Sequence, residues 1–177
     1  MTEKKTDNSV KTLLHIYASM VAILCLQFVP ITEIQIASLF LVTALIISLY
    51  VIRSRNEYGS LLENHTSYLI KTFWVGGLFF SIGLIIAYII FYYLGDHSYL
   101  YSFVDKYNNG IYGLDISLLE QEYQRVMTNY LTDNKSIIIK IFAITISPSL
   151  IYMIYRIGKG LARATKGYVV SNRKTWF

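Results

Sequence analysis

Polar and apolar positions along this chain fall into blocks. Runs free of Asp, Glu, Lys and Arg lie between Lys11 and Glu33, between Glu33 and Arg53, and between Lys71 and Asp96, and a fourth, from Lys135 to Arg156, is interrupted only by Lys140. Each run accommodates about 20 helical residues, which at 1.5 Å of rise cross a hydrocarbon core of roughly 30 Å. The pattern predicts an all-α polytopic membrane protein with four transmembrane helices in a bundle. The expected spans are residues 12–30, 32–52, 72–94 and 137–156, within a single membrane domain covering 1–177. An outer connection of 95–136 and a tail of 157–177 complete it.

Local signals refine these boundaries. Pro30 lacks a backbone donor and disfavours helix at Val29, so the first helix is expected to end there and the second to start within a few residues. Pro148, between Ser147 and Ser149, should kink the fourth span and free a carbonyl that a neighbouring serine or helix must satisfy. Three pairs have the small-xxx-small spacing of close helix contacts: Ala18 with Ala22, Gly77 with Ser81, and Ala143 with Ser147.

Both polar stretches also carry helical periodicity. In the outer connection, Ile116, Leu119, Tyr123, Val126, Met127 and Tyr130 recur at three and four residues, predicting an amphipathic helix over about 116–131. Asp115 can cap its start, and Ser117 with Glu120 has capping-box spacing. The tyrosines at 99, 101, 107 and 112, with Phe103, suit the headgroup region. In the tail, Arg156, Lys159, Arg163 and Lys166 alternate with Ile157, Leu161, Ala164 and Tyr168, predicting a basic amphipathic segment. Lys159, Arg163 and Lys166 are its lipid-facing basic residues, each contributing about 1 kcal/mol beside an anionic leaflet. Gly158 and Gly160 permit a bend, Gly167 can end the segment, and Trp176 with Phe177 offers an aromatic anchor.

Composition agrees with this class and narrows the partners. Of 177 residues, 54% are hydrophobic and only 15% charged, too apolar for an ordinary soluble domain. The net charge of +5 is distributed beside the apolar runs, so it reads as a topology signal and not as a nucleic-acid surface. Twelve Lys and Arg fall on the side of the termini and the second connection. The other side has Lys106, Arg125, Lys135 and Lys140. By the positive-inside rule both termini are cytoplasmic. The first run is longer than a signal-peptide core and leads straight into a second span, so it is expected to stay as a helix. Cys25, the single cysteine, allows no intrachain disulfide, and no cofactor or metal site is predicted.

Candidate functional residues cluster at two places. The second connection reads Leu62-Glu63-Asn64-His65-Thr66-Ser67-Tyr68-Leu69-Ile70-Lys71-Thr72-Phe73-Trp74, and the last span ends Tyr155-Arg156-Ile157-Gly158-Lys159-Gly160-Leu161. Lys71 marks an inner boundary, Phe73 and Trp74 belong at headgroup level, and His65 is expected on a short membrane-hugging approach as a hydrogen-bonded interfacial histidine. Its charge can change near neutral pH. A metal site of His15, Glu63 and His65 lacks diagnostic spacing. Asn64-His65-Thr66 and Asn134-Lys135-Ser136 match the glycosylation sequon, as expected by chance.

These two segments, with Tyr50-Val51-Ile52-Arg53, resemble a family of small bacterial four-span membrane proteins grouped loosely with the chloroplast inner-envelope translocon component of about twenty kilodaltons. In that family a histidine precedes a basic-Thr-Phe-Trp step into the third span, and a Tyr-Arg-x-x-x-Gly step follows the last. The resemblance implies a multi-pass protein of the bacterial cytoplasmic membrane. It singles out His65, Lys71, Thr72, Phe73, Trp74, Tyr155, Arg156 and Gly160 as functional or interface positions. The expected function is non-enzymatic: assembly with a membrane-protein partner or with further copies of the chain, in the lipid bilayer. The alternative is a translocation or transport component acting as an oligomeric pathway. Span centres nearly bare of ionisable groups weigh against transport. No paired carboxylates, Ser-His arrangement or phosphate-binding glycine loop points to an enzyme.

Overall fold

A computed structural model describes residues 2–111 and 115–171, with side chains from Asn8 onward. Tyr112, the anchor at Trp176 and Phe177, Arg173 and Lys174 lie outside the described residues, as do the side chains of Lys4 and Lys5. Among the described residues the protein is all-α: α1 (Thr2–Leu26), α2 (Thr32–Arg55), α3 (Leu61–Leu94), α4 (Ser98–Asn108) and α5 (Ile116–Ala164). Four of these, all except α4, are long and apolar enough to cross a membrane. The chain divides into two compact units. The first contains residues up to Leu78 and from Ser149 onward, and the second runs from Phe79 to Pro148.

Helix boundaries follow capping chemistry more closely than the limits of the apolar runs. α1 ends at Leu26, ahead of Pro30, in a turn where Phe28 donates to the Cys25 carbonyl and Val29 to that of Leu26. α3 begins at Leu61, eleven residues before the expected span, so the predicted surface approach is a buried extension of the helix. The cause is a Ser60-x-x-Glu63 box: the Glu63 N–H donates to Ser60 Oγ at 3.3 Å, and the Glu63 carboxylate reaches back to the Gly59 N–H at 3.0 Å.

α5 joins three predicted segments into one helix of 49 residues: the amphipathic outer helix, the fourth span and the first part of the tail. Gly158 and Gly160 sit inside it without ending it. Its start is the predicted one, since the Asp115 carboxylate accepts the N–H groups of Ser117 (3.0 Å) and Leu118 (3.1 Å). The Ser117 hydroxyl also turns to Asp115, at 2.7 Å, in place of pairing with Glu120. Pro148 has no N–H for the Ile144 carbonyl, and the Ser147 hydroxyl supplies the missing donor at 3.2 Å. The helix stops at Ala164, where Gly167 adopts φ 68° and Tyr168 donates back to the Arg163 carbonyl.

Hydrogen bonds from the Ser117 side chain and the Leu118 N–H hold the Asp115 carboxyl below the usual carboxylate range. A lowered folded-state value stabilises the cap above the ordinary aspartate pKa of about 3.9 and loses that contribution as pH falls through the depressed value. Replacing Asp115 with Ala is therefore expected to speed amide exchange at Ser117 and Leu118 at neutral pH and leave Ile141 unchanged. Asp115→Asn should retain most of the protection.

Close helix contacts use other small residues than the predicted pairs. Ala18, Ala22, Ser81 and Ala143 are exposed, and a Cβ on Gly77 would meet nothing within 4 Å. In the second unit the buried pair on α3 is Gly83 and Ala87, and a Cβ on Gly83 would run into the Thr145 carbonyl of α5. In the first, Gly76 faces Met153, and the buried Ser149 hydroxyl donates to the Gly76 carbonyl at 2.8 Å. The unpredicted α4 is tied to α5 by Lys106 and Glu122 at 3.1 Å and by the Phe103 and Tyr123 rings, 6.1 Å apart.

Candidate functional site

The first unit contains a buried polar cluster on α1, the start of α3 and the end of α5. α1 contributes Tyr17 from the face it shares with Leu13, Ile16, Met20 and Ile23, all at helical spacing and all buried. α3 is buried almost all round between Glu63 and Thr72, including His65, Thr66, Tyr68 and Thr72 at 0% exposure. From α5 come Tyr152, Arg156, Gly160 and Ala164, successive positions four apart, so that Arg156 shares a face with two small residues and points inward at 1% exposure. The predicted basic stripe is thus split. Arg156 belongs to the interior, whereas Lys159 and Arg163 are half-buried and Lys166 is exposed.

His65 has both ring nitrogens engaged. Nε2 lies 2.9 Å from the Tyr168 carbonyl, which can only accept, so this nitrogen carries the proton. Nδ1 lies 3.0 Å from the Tyr17 hydroxyl and accepts from it in the neutral ring. The two rings also meet edge to face, with centroids 5.9 Å apart. Asn64 makes the second connection to the C-terminal segment. Its Oδ1 accepts the Val170 N–H at 2.7 Å and its amide donates to the Val170 carbonyl at 3.3 Å, so one side chain satisfies both backbone groups of a buried residue. Arg163 adds a bond to the Val169 carbonyl at 3.0 Å. Residues 168–170 are therefore held in place by α3 and by the end of α5.

Arg156 is held by a separate set of bonds. Its guanidinium lies 4.0 Å from the centroid of the Tyr68 ring, and its Nε donates to Thr72 Oγ1 at 3.2 Å. The Thr72 hydroxyl in turn donates to the Tyr68 carbonyl, and the Tyr68 hydroxyl to the Arg156 carbonyl. Gly160 makes the approach possible: a Cβ there would collide with the Tyr17 hydroxyl and lie 2.9 Å from Tyr68 Cε1.

The structure thus brings together His65, Thr72, Arg156 and Gly160 from the sequence-derived set. Lys71 is half-buried, and Phe73 packs edge to face on Trp74, which is 61% exposed and donates its indole N–H to the Tyr50 hydroxyl at 3.0 Å. Tyr155 is exposed and lies under the Lys159 ammonium. Sequence reasoning missed Tyr17, Asn64 and Tyr68 as members. The Ser60-x-x-Glu63 box was the available signal, because a helix starting there carries 64, 65 and 68 into a packed interior. His15 bonds the Lys11 carbonyl instead of joining Glu63 and His65, and no group of three His, Cys, Asp or Glu among the described residues is placed to hold a metal.

The second unit repeats the device with different residues. Asn134, 1% exposed, accepts the Asp96 N–H and donates to the Asp96 carbonyl, both at 2.8 Å. Beside it His97 has Nε2 3.0 Å from the Tyr92 carbonyl and Nδ1 3.1 Å from the Tyr130 hydroxyl. In each unit an asparagine clamps one backbone residue and a histidine bridges a tyrosine to a carbonyl. Both sequon asparagines are consumed by these clamps. Chemically, the cluster around His65 orders chain segments, with its hydrogen-bonding capacity directed inward. No protein-family model, curated protein or solved structure matches this chain.

Proposed function

We propose that this chain is a multi-pass protein of the bacterial cytoplasmic membrane, with both termini inside, that acts by assembly with a membrane-protein partner or with further copies of itself. The observation that carries the reading is the contrast between a sealed polar interior and an uncovered apolar exterior. The four candidate spans are only 11–22% buried over their most apolar windows, with Phe40, Tyr88, Ile144 and Ile154 each more than 70% exposed. Lipid or a partner helix must cover such surface, since soluble monomers rarely expose contiguous apolar patches beyond a few hundred Å². The bundle arrangement, the outer placement of α4 with the first turns of α5, and the contact of Lys159 and Lys166 with an anionic leaflet belong to this proposal. The resemblance to small four-span proteins supports the same topology.

Two surfaces are available to a partner. On the outer side, Phe103, Tyr107, Ile116, Leu119 and Tyr123, with Glu120, line a largely apolar groove of about 440 Å³ between α4 and α5. On the inner side stand the exposed Lys166 and the half-buried Lys159 and Arg163 around the end of α5. Crosslinking in native membranes tests assembly. The expected result is one stable complex recovered through photo-reactive residues at Tyr107 or Lys166 and lost when the residue is instead placed at Ile85. Solute flux through vesicles reconstituted with this chain alone would favour the oligomeric pathway.

A further inference from the structure

A pocket of about 280 Å³ opens where α2 ends and the chain turns toward α3, lined by Tyr50, Arg53, Ser54, Asn56, Tyr58 and Glu63. It is separate from the His65 cluster and lies wholly within the first unit. We propose that it binds the phosphate headgroup of an anionic phospholipid, with Arg53 as the principal ligand. This rests on the membrane placement above, but not on assembly.

Charge selects the ligand class. Glu63 lines the pocket but is 5% exposed, and its carboxylate is occupied by the Gly59 N–H at 3.0 Å and the Ser67 hydroxyl at 2.8 Å. Arg53 is the one exposed charged side chain lining the pocket, and its guanidinium presents a planar fork of donors matched to phosphate oxygens. Tyr58, 79% exposed, stands at the rim.

Depth selects the source. Tyr50, one helical turn before Arg53, accepts the Trp74 indole N–H, and this pair is the kind of amphipathic aromatic contact found at headgroup level. Toward the membrane centre from it, α2 presents Ile47 and Phe40 and α3 presents Leu78, all exposed and apolar. A ligand with its phosphate on Arg53 would have this surface for its acyl chains. A soluble phosphate would use only the head. The volume, below the roughly 300–1,000 Å³ of sites for drug-sized ligands, fits a headgroup and not an entire amphiphile.

Trp74 is a built-in reporter. The full chain carrying Trp176→Phe would be reconstituted into phosphatidylcholine vesicles containing a minor fraction of acyl-brominated lipid, and quenching of Trp74 compared for brominated phosphatidylglycerol and brominated phosphatidylcholine. Local enrichment of the anionic lipid of roughly fivefold is expected, the factor corresponding to about 1 kcal/mol for one basic residue near an anionic headgroup. Arg53→Gln should bring the ratio close to one, and Arg55→Gln, outside the pocket, should leave it near fivefold. Equal quenching by the two lipids, or equal loss in both variants, overturns the site in favour of diffuse surface charge. Displacement by millimolar inorganic phosphate overturns the lipid as its ligand. Absence of quenching by either lipid removes the membrane placement itself, an outcome distinct from failure of the site.

Discussion

Substituting Gly160 with Val is expected to destroy the packing of the first unit, whereas Gly158→Ala, two residues earlier in the same helix, should stabilise it. The sign differs because the space differs. A Cβ at 160 meets the Tyr17 hydroxyl, Tyr17 Cζ at 2.9 Å and Tyr68 Cε1 at 2.9 Å, and both rings are pinned by hydrogen bonds, Tyr17 to His65 and Tyr68 to the Arg156 carbonyl. Neither ring can yield without breaking a buried bond. The added methyls of valine therefore cost at least the ~1–3 kcal/mol of an overpacked core, and the strained hydrogen bonds add to it. At 158 nothing lies within 4 Å, so alanine brings only its helix-propensity advantage of roughly 0.5–1 kcal/mol. Thermal unfolding in mild detergent reads both. A Gly160→Val protein that unfolds at the native temperature would mean that the α1, α3 and α5 contact is absent in solution.

Releasing the C-terminal segment should have the next largest effect. Asn64→Ala leaves the buried Val170 N–H and carbonyl without their partner, at about 1–3 kcal/mol for each unsatisfied group, and the 168–170 segment is expected to come away from α3. Limited trypsin digestion of the detergent-solubilised protein should then cleave after Lys166 much faster than in the native chain. Asn64→Asp keeps the acceptor for the Val170 N–H and loses the donor to its carbonyl, so its cleavage rate should fall between the two. His65→Leu should act in the same direction, since Tyr168 loses a donor and Tyr17 an acceptor. An Asn64→Ala protein as resistant as the native one would show that this clamp does not hold the segment.

The four long helices were legible because bilayer thickness imposes a length on apolar runs that few other constraints mimic. The start of α5 at Asp115 and its end before Gly167 were legible for a local reason, since caps and left-handed glycines are properties of single residues. Tertiary contact was harder to read. Arg156 scans as one member of a surface stripe of cations, yet Gly160 and Ala164 on its own face admit α1 and α3 and draw it inside. Small-residue spacings are equally ambiguous: Gly77 looks as good as Gly83 in the sequence, and only the position of the Thr145 carbonyl separates them. Tyr17 and Tyr68 disappear among sixteen tyrosines, most of which suit an aromatic belt. Their role depends on His65 and Gly160 arriving from other helices, a coincidence of faces that no single segment encodes.

Sided labelling of single cysteines tests the central claim most directly. In a Cys25→Ser background, Asn109→Cys and Lys166→Cys would each be treated with a membrane-impermeant maleimide, first in intact cells and then in inverted vesicles. Four crossings with both ends inside predict that position 109 reacts only in intact cells and position 166 only in inverted vesicles, with all protein in the membrane fraction after carbonate washing. Reaction of both positions from the same side, or release of the chain into the supernatant, would contradict the account.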